Sequence, residues 1–212
     1  MLGILCGLES EAAIARKIPA SDVACAAARP GQARALAQKL VEKGARHLVS
    51  FGVAGGLKPG LPVGALILAT HVVSLKGRWE CDKPWNAAFA ARHPVVQLGG
   101  VWGSEMLVPT ADDKRALYEG SACVIVDMES QCAAEIASAA RLPFTVVRAV
   151  CDTAAMHVPP VVMAAISEDG SVDARRAITH LARRPREIPD LFHVMLGINR
   201  ALRALKRSLP AF

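Results

Sequence analysis

The chain has 212 residues, of which 52% are hydrophobic, and a formal net charge of +6. This length suits one α/β domain with a substantial core, and no linker rich in Pro, Gly and Ser divides it. No apolar stretch approaches the roughly 20 residues that cross a bilayer, which excludes a membrane-spanning protein. Aromatic residues make up only 4% of the chain, whereas grooves for single-stranded nucleic acid usually stack bases on aromatic rings. We therefore expect no nucleic-acid partner.

The six cysteines are scattered through apolar segments, without a CxxC pair or a Cys/His spacing typical of metal ligands. Such a distribution is typical of reduced thiols in the cytoplasm. We expect a cytoplasmic protein with no metal site and no disulfide framework.

Strand and helix patterns alternate along the first 150 residues. We predict strands at residues 2–6, 47–51, 65–73, 123–126 and 144–150, and helices at residues 12–15, 32–43, 112–118 and 129–140. Residues 52–60 are predicted to be a loop, and Pro30-Gly31 is expected to end a short apolar run. The alternation predicts a single α/β domain over residues 1–212, with a mixed central β-sheet flanked by helices.

Two parts of the chain have weaker or different patterns. Residues 76–100 show no clear period, and we expect them to be irregular with one helical stretch. From residue 172 onward helix predominates, is broken by Pro185 and Pro189, and ends in an amphipathic helix over residues 190–209.

Two carboxylates follow apolar segments that are typical of buried strands. Glu129 comes after residues 123–126, and Asp152 comes after residues 144–150. In open α/β sheets ligands bind at the carboxyl ends of the strands, so these two acids are expected to converge. The alternatives for each are structural, since Glu129 could begin a helix and Asp152 could cap a helix or occupy a turn.

Two further features follow the first two predicted strands. Residues 52–56 are rich in glycine, which lets a backbone approach a ligand closely, although a plain tight turn is the alternative. Glu11 follows the first strand and could act as a general base on water, or simply favour the start of a helix.

Taken in order, Gly7 with Glu11, residues 50–57, residues 126–130 and residues 148–152 resemble the nucleoside phosphorylase and nucleosidase family. The resemblance implies cleavage of an N-glycosidic bond without a cofactor, with phosphate as a potential co-substrate. It implies catalytic roles for Asp152, which would protonate N7 of a purine, and for Glu11, which would position water. Gly7 and Gly55 would meet phosphate or water. The implied substrate-binding residues are Met128, Glu129, Val53, Ala54, Gly55, Leu107 and Val108.

The glycine-rich segment carries Val53 where phosphorylases place a hydroxyl or other polar group. A phosphate ion would therefore have one donor fewer, and we expect hydrolysis to exceed phosphorolysis. Glu11 is one residue out of register with the methylthioadenosine nucleosidases.

The second half of the chain resembles the hopanoid-associated branch of this family, through residues 142–144, 158–160, 168–170 and 184–191. This resemblance implies adenosylhopane as substrate, giving adenine and ribosylhopane in hopanoid biosynthesis, and a homo-oligomer that is at least a dimer. A soluble nucleoside such as methylthioadenosine or S-adenosylhomocysteine is the alternative substrate. A protein that binds a nucleoside without catalysis is the alternative of another class.

Basic residues are concentrated near the end of the chain, between Arg175 and Arg207. A solvated helical face is the ordinary interpretation of this pattern. The alternative is peripheral contact with the anionic surface of the inner membrane, where a lipid-linked nucleoside would be found.

Overall fold

The computed structural model describes residues 1–173, 175, 178, 179, 182 and 184–212. Within these residues, eight strands form one sheet: β1 (Leu2–Cys6), β2 (Ser21–Cys25), β3 (His47–Gly56), β4 (Leu66–Ser74), β5 (Gly77–Glu80), β6 (Gln97–Gly103), β7 (Ile125–Asp127) and β8 (Phe144–Asp152). The helices are α1 (Glu9–Ala15), α2 (Pro30–Glu42), α3 (Lys83–Arg92), α4 (Ala111–Ser121), α5 (Ser130–Ala139), α6 (Val161–Ala164) and α7 (Ile188–Ser208). This architecture confirms the predicted fold class, an α/β domain with a mixed sheet flanked by helices.

The sheet closes on itself. Strand β3 pairs in parallel with β1 and β8, β8 pairs antiparallel with β4, and β4 and β6 are parallel neighbours. Strand β7 is parallel to β6 and reaches the end of β3, where Gly55 and Gly56 pair antiparallel with Val126 and Ile125. The pairings β3, β8, β4, β6, β7 and back to β3 therefore form a ring, with β1 and β2 extending from β3 and with β5 extending from β4.

Side chains that alternate along the strands supply two separate cores. Leu5, Val146 and Val150 pack with the apolar faces of α2 and α5. Their neighbours Ile4 and Val147 point the other way, into a core formed with α1, α3 and α7. Because β8 is buried along its whole length, its sequence is mostly apolar on both faces and does not alternate between apolar and polar residues.

The predicted loop at residues 52–60 is wrong in its first half. Strand β3 continues through Gly56, because residues 52–54 keep their pairing with β8 and the next two glycines pair with β7. The register shifts between Ala54 and Gly55, which is the irregularity that lets β3 serve both neighbours. Glycine commonly indicates a turn, but in this segment it allows close packing of strands.

Two further sequence-based expectations need correction. Pro30 does not simply end an apolar run; it lies in the first turn of α2, where its missing N–H leaves no hydrogen bond unmade. Residues 76–100 are regular, since they hold β5, α3 and the start of β6. Asp82 begins α3 by accepting a hydrogen bond from Trp85 N at 2.7 Å, a signal obscured by the surrounding Trp and Pro residues.

The C-terminal helix begins earlier than expected. Pro189 lies in the first turn of α7 and does not break it, and Pro185 lies in a short 3-10 turn, Pro185–Glu187. The helix predicted from residue 172 falls partly on residues 174, 176, 177, 180, 181 and 183, which lie outside the described part of the chain. Among the described residues, no helix is both long and apolar enough to cross a membrane.

Helix α7 lies against the backbone of β8 at one glycine. A Cβ atom placed on Gly197 would come within 1.8 Å of the carbonyl oxygen of Cys151, far inside any normal contact. Only glycine allows α7 to pack this closely beside the end of β8, next to Asp152.

We expect Gly197→Ala to destabilise the protein by about 2 kcal/mol, because the added methyl group must push α7 away from β8. For a chain of this size that loss lowers the melting temperature by roughly 4–8 °C. Gly120→Ala is the matched control, since a Cβ at Gly120 in α4 meets nothing within 4 Å. That control should stabilise slightly, and equal thermal shifts for the two variants would contradict the close packing.

Candidate active site

A cavity of about 130 Å³ lies where β1, β3, β7 and β8 end. The structure places every predicted site residue in its wall: Gly7, Glu11, Val53, Ala54, Gly55, Leu107, Val108, Met128, Glu129 and Asp152. Glu129 and Asp152 therefore lie around one cavity at the strand ends, as the open-sheet rule predicts. The catalytic and binding roles of these residues remain predictions.

One buried guanidinium organises the acids around this cavity. Arg148 on β8 is 1% exposed, and its Nε lies 2.6 Å from Asp127 Oδ2. Its Nη2 donates to Glu129 Oε2 at 3.1 Å and to Ser50 Oγ at 2.6 Å, while Nη1 donates to the carbonyl oxygen of Val53 at 3.2 Å. Arg148 thus fixes the carboxylate of Glu129 against the end of β3.

Asp127 is the second partner of this guanidinium and also shapes the turn into α5. Its Oδ1 accepts from the backbone N–H of Ser130 at 3.1 Å, and its Oδ2 accepts from the Ser130 hydroxyl. Glu129 lies inside the turn that these bonds hold. The turn therefore sets the direction in which Glu129 leaves the backbone.

Glu129 is buried among like charges. Burial raises its pKa to about 7; the Arg148 guanidinium opposes the rise, and the charges of Asp127 and Glu11 add to it. A carboxyl group of this kind changes charge close to neutral pH, where either form can take part in chemistry.

Glu11 faces the cavity from the start of α1 and is 1% exposed. Its Oε2 accepts from Gly7 N and Leu8 N, and its Oε1 accepts from Val53 N, all at 2.8 Å. Burial raises the pKa of Glu11, whereas Arg148 and these backbone bonds lower it. A carboxylate has about four acceptor positions, so Glu11 keeps one on Oε1 for a water molecule.

Glycine at position 52 permits this convergence. A Cβ there would come within 2.6 Å of both the Arg148 guanidinium and the Glu11 carboxyl group. The glycine-rich end of β3 therefore makes room for charged side chains of the protein itself.

Asp152 has partners that the sequence interpretation missed. Its Oδ2 accepts a hydrogen bond from Lys114 Nζ, and its Oδ1 accepts from Cys151 Sγ at 3.1 Å. Burial and the adjacent Asp152 raise the pKa of the Cys151 thiol, so this thiol keeps its proton and remains a donor. Lys114 is fully buried in α4.

Signals for both missed cations were present in the sequence. Arg148 is a charged residue inside an apolar strand, and Lys114 precedes Leu117 and Tyr118 at the three- and four-residue spacing of one helix face. The apolar wall was also missed; it consists of Val158, Val162, Met163, Ile166, Val194 and Ile198. Within the described residues, no group of three or more His, Cys, Asp or Glu side chains could hold a metal ion.

A family model of the phosphorylase superfamily matches residues 29–183, which is more than half of the chain. The chain belongs to the phosphorylase superfamily. The predicted enzyme class, one that acts on N-ribosyl bonds, is confirmed, while the hopanoid-associated branch stays a prediction. No curated protein matches the chain.

Solved structures share the fold along nearly the whole length. Futalosine hydrolase of Helicobacter pylori strain 26695 is 15% identical with a TM-score of 0.75, covering 99% of this chain and 95% of that one. The 5′-methylthioadenosine/S-adenosylhomocysteine nucleosidase from Neisseria meningitidis, in complex with methylthio-immucillin-A, is 15% identical with a TM-score of 0.72, covering 99% and 96%. S-adenosylhomocysteine nucleosidase from Streptococcus pyogenes, in complex with 5-methylthiotubericidin, is 17% identical with a TM-score of 0.69, covering 98% and 95%. At these identities the likeness establishes the fold.

The raised pKa of Glu129 predicts a dependence of stability on pH. The folded protein holds the Glu129 proton more tightly than the unfolded chain does, because the pKa rises from 4.5 to about 7. Stability from this group is fully present below pH 4.5 and is lost as pH rises through about 7.

Glu129→Gln removes this titration and leaves Arg148, Asp127 and Glu11 in place. Between these pH values the free energy of unfolding of the unaltered protein should fall relative to the variant by about 1.4 kcal/mol per pH unit. Urea unfolding of both proteins at pH 5 and pH 7.5 measures the difference. A difference that does not change with pH would show that Glu129 titrates normally.

Proposed function

We propose that this enzyme hydrolyses the N-glycosidic bond of a purine nucleoside with an apolar 5′ substituent, and that adenosylhopane is the favoured substrate. The observation that carries the proposal is the presence of Glu11, Glu129 and Asp152 in one cavity whose remaining wall is largely apolar. Cleavage of such a bond passes through a cationic sugar, which a carboxylate stabilises, while an acid assists the leaving base.

Each acid is given one role. Asp152 transfers a proton to N7 of the purine as the bond between C1′ and N9 breaks. Glu129 accepts hydrogen bonds from the ribose hydroxyls, and Met128 packs on the sugar. Glu11 uses its remaining acceptor position to orient water for attack on C1′.

The charges around the cavity support hydrolysis over phosphorolysis. Among the described residues that line it, none is Lys, Arg or His. The backbone amides of Gly7, Leu8 and Val53 already donate to Glu11. A phosphate ion in the cavity would therefore face carboxylates, with no cation in the described lining and with these three N–H donors already engaged. Coulomb repulsion disfavours the binding of phosphate in such a place.

The apolar wall supports an apolar 5′ substituent. Val194 and Ile198 of α7 line the cavity, and their neighbours Phe192 and Met195 are 60% and 52% exposed. Apolar surface thus continues from the cavity to solvent along one helix, where a long hydrocarbon could lie. The homocysteine group of S-adenosylhomocysteine carries two charges that this wall leaves without partners.

Adenine release is the decisive measurement. Adenosylhopane, methylthioadenosine and S-adenosylhomocysteine are offered separately, with and without phosphate. We expect adenosylhopane to give the highest kcat/KM, free ribosylhopane as product, and a rate independent of phosphate. Faster release from a soluble nucleoside would favour that alternative, and a phosphorylated sugar product would overturn hydrolysis. Absence of release from every substrate would favour the non-catalytic nucleoside-binding protein.

The exposed surface of α7 also supports peripheral contact with an anionic membrane. Its first half exposes Ile188, Phe192 and Met195. Its second half exposes the basic residues Arg200, Arg203, Lys206 and Arg207. We also propose a homo-oligomer, at least a dimer, as the family resemblance implies.

Each basic residue close to an anionic surface contributes about 1 kcal/mol. Replacing Arg200, Arg203, Lys206 and Arg207 with Gln should therefore abolish sedimentation with anionic vesicles at low salt. The matched control replaces four exposed basic residues distant from α7 in the chain, namely Lys17, Lys39, Lys43 and Arg46. Equal sedimentation of the two variants would contradict membrane contact through α7.

A further inference from the structure

Lys114 is a fully buried lysine that the proposed reaction does not yet use. Its Nζ donates to Asp152 Oδ2, to the carbonyl oxygen of Thr153 at 3.0 Å and to that of Met156 at 2.9 Å. An ammonium group has three donors, so all of them are engaged. Burying a lysine is costly, and such a residue is almost never fully buried without a partner.

The two oxygens of Asp152 have different surroundings. Oδ2 is held by Lys114, which is not among the residues that line the cavity. Oδ1 accepts from the thiol of Cys151, which does line the cavity. Oδ1 is therefore the oxygen available to a bound base.

The start of α4 and the segment after β8 are tied together around this contact. Lys114 bonds to two carbonyl groups of that segment, and Val158 N donates to the carbonyl oxygen of Pro109 at 2.9 Å. At the start of α4, Thr110 Oγ1 accepts from Asp113 N at 3.1 Å, which fixes the first turn. The position of Lys114 relative to Asp152 is thus set by the backbone of both segments.

We propose that Lys114 is the positioning residue of the general acid: it holds Asp152 Oδ2, directs Oδ1 to the purine, and stabilises the carboxylate formed by proton transfer. The inference rests on the proposed function. In the step itself the Oδ1–H bond breaks and an N7–H bond forms. The bond between C1′ and N9 breaks with its electron pair going to the purine. Water then forms a bond to C1′ of the oxocarbenium ion, and the proton that this water loses passes to Glu11.

The physical reason is the cost of a bare carboxylate in an apolar cavity. Without a counter-ion, a buried aspartic acid keeps its proton, because its ionised form is poorly solvated. The ammonium group lies where negative charge develops as the proton leaves, and it needs no reorganisation to stabilise that charge. Lys114 thereby acts on the reaction through Asp152 and touches neither base nor sugar.

A double-mutant cycle tests whether Lys114 acts through Asp152. Lys114→Met, Asp152→Asn and the double variant are compared with the unaltered enzyme, with methylthioadenosine as probe. We expect Lys114→Met to lower kcat on the order of 10²-fold with little change in KM, within the range of general acid catalysis. In the Asp152→Asn background the same change should have no further effect. An equal loss in both backgrounds would overturn the proposal.

A second substrate separates proton transfer from general damage to the site. The base of 7-methyladenosine already carries positive charge at N7 and leaves without a proton. The Lys114→Met variant should cleave 7-methyladenosine at nearly the rate of the unaltered enzyme, and loss of this cleavage would contradict the inference.

The Lys114→Arg variant, which keeps the positive charge, should recover most of the activity on methylthioadenosine. Failure of a folded Arg variant to do so would also count against the inference.

Arg115→Met is the matched control, since Arg115 is the exposed neighbour of Lys114 on α4 and pairs with Asp112. It should leave both rates unchanged. Circular dichroism tests whether each variant folds. If Lys114→Met does not fold, Lys114→Gln takes its place in the same double-mutant cycle. Absence of adenine release from the unaltered enzyme would remove the proposed function itself, whereas unchanged rates in Lys114→Met would remove only this inference.

Discussion

The buried ion pairs of Arg148 with two carboxylates, close to a third, are the constraint on which the site depends. Asp127 and Glu129 bond to its guanidinium, and Glu11 lies close enough that both groups would meet a Cβ atom on Gly52. Three acids taken from water without this cation would repel one another, and removing one partner of such a buried pair typically costs about 3–5 kcal/mol. The cation therefore allows acids from α1, β7 and the α5 turn to share a small volume.

Strand β3 explains how those acids reach one another. Its glycines let it pair with β8 and then with β7, so the ends of β7 and β8 lie on either side of Gly55. Asp152 pairs in register with this glycine, and Glu129 follows two residues after β7. A side chain at Gly52 would displace both Arg148 and Glu11. The glycines of β3 allow strands and side chains to pack closely, a role that turn statistics do not describe.

Much of this site follows from local patterns, and the remainder depends on packing. Glu129 and Asp152 were predictable because apolar strands mark their own ends, and the carboxyl ends of neighbouring strands meet. The continuation of β3 through its glycines was not predictable, because glycine is typical of turns and only the pairing of β3 with β7 shows a strand there. Lys114 was missed because its partner lies 38 residues away, and a lysine in a helix is ordinarily exposed. Its position on the same helix face as Leu117 indicated burial, but the general exposure of lysine in helices favoured the opposite prediction.

The balance of charge around the cavity links structure to chemistry. Among the residues that the structure describes, four acids line the cavity: Glu11, Asp127, Glu129 and Asp152. Arg148 and Lys114, which pair with three of these acids, are buried behind the cavity wall. The formal charge of these six groups is negative even when Asp152 holds the proton that it transfers, although the pKa of Glu129 near 7 allows that acid to hold a proton part of the time as well. A negative cavity attracts a cationic sugar and repels a phosphate ion, because both interactions are strong away from water. In the proposed reaction, the same arrangement would favour formation of the oxocarbenium ion and leave neutral water as the nucleophile that approaches it.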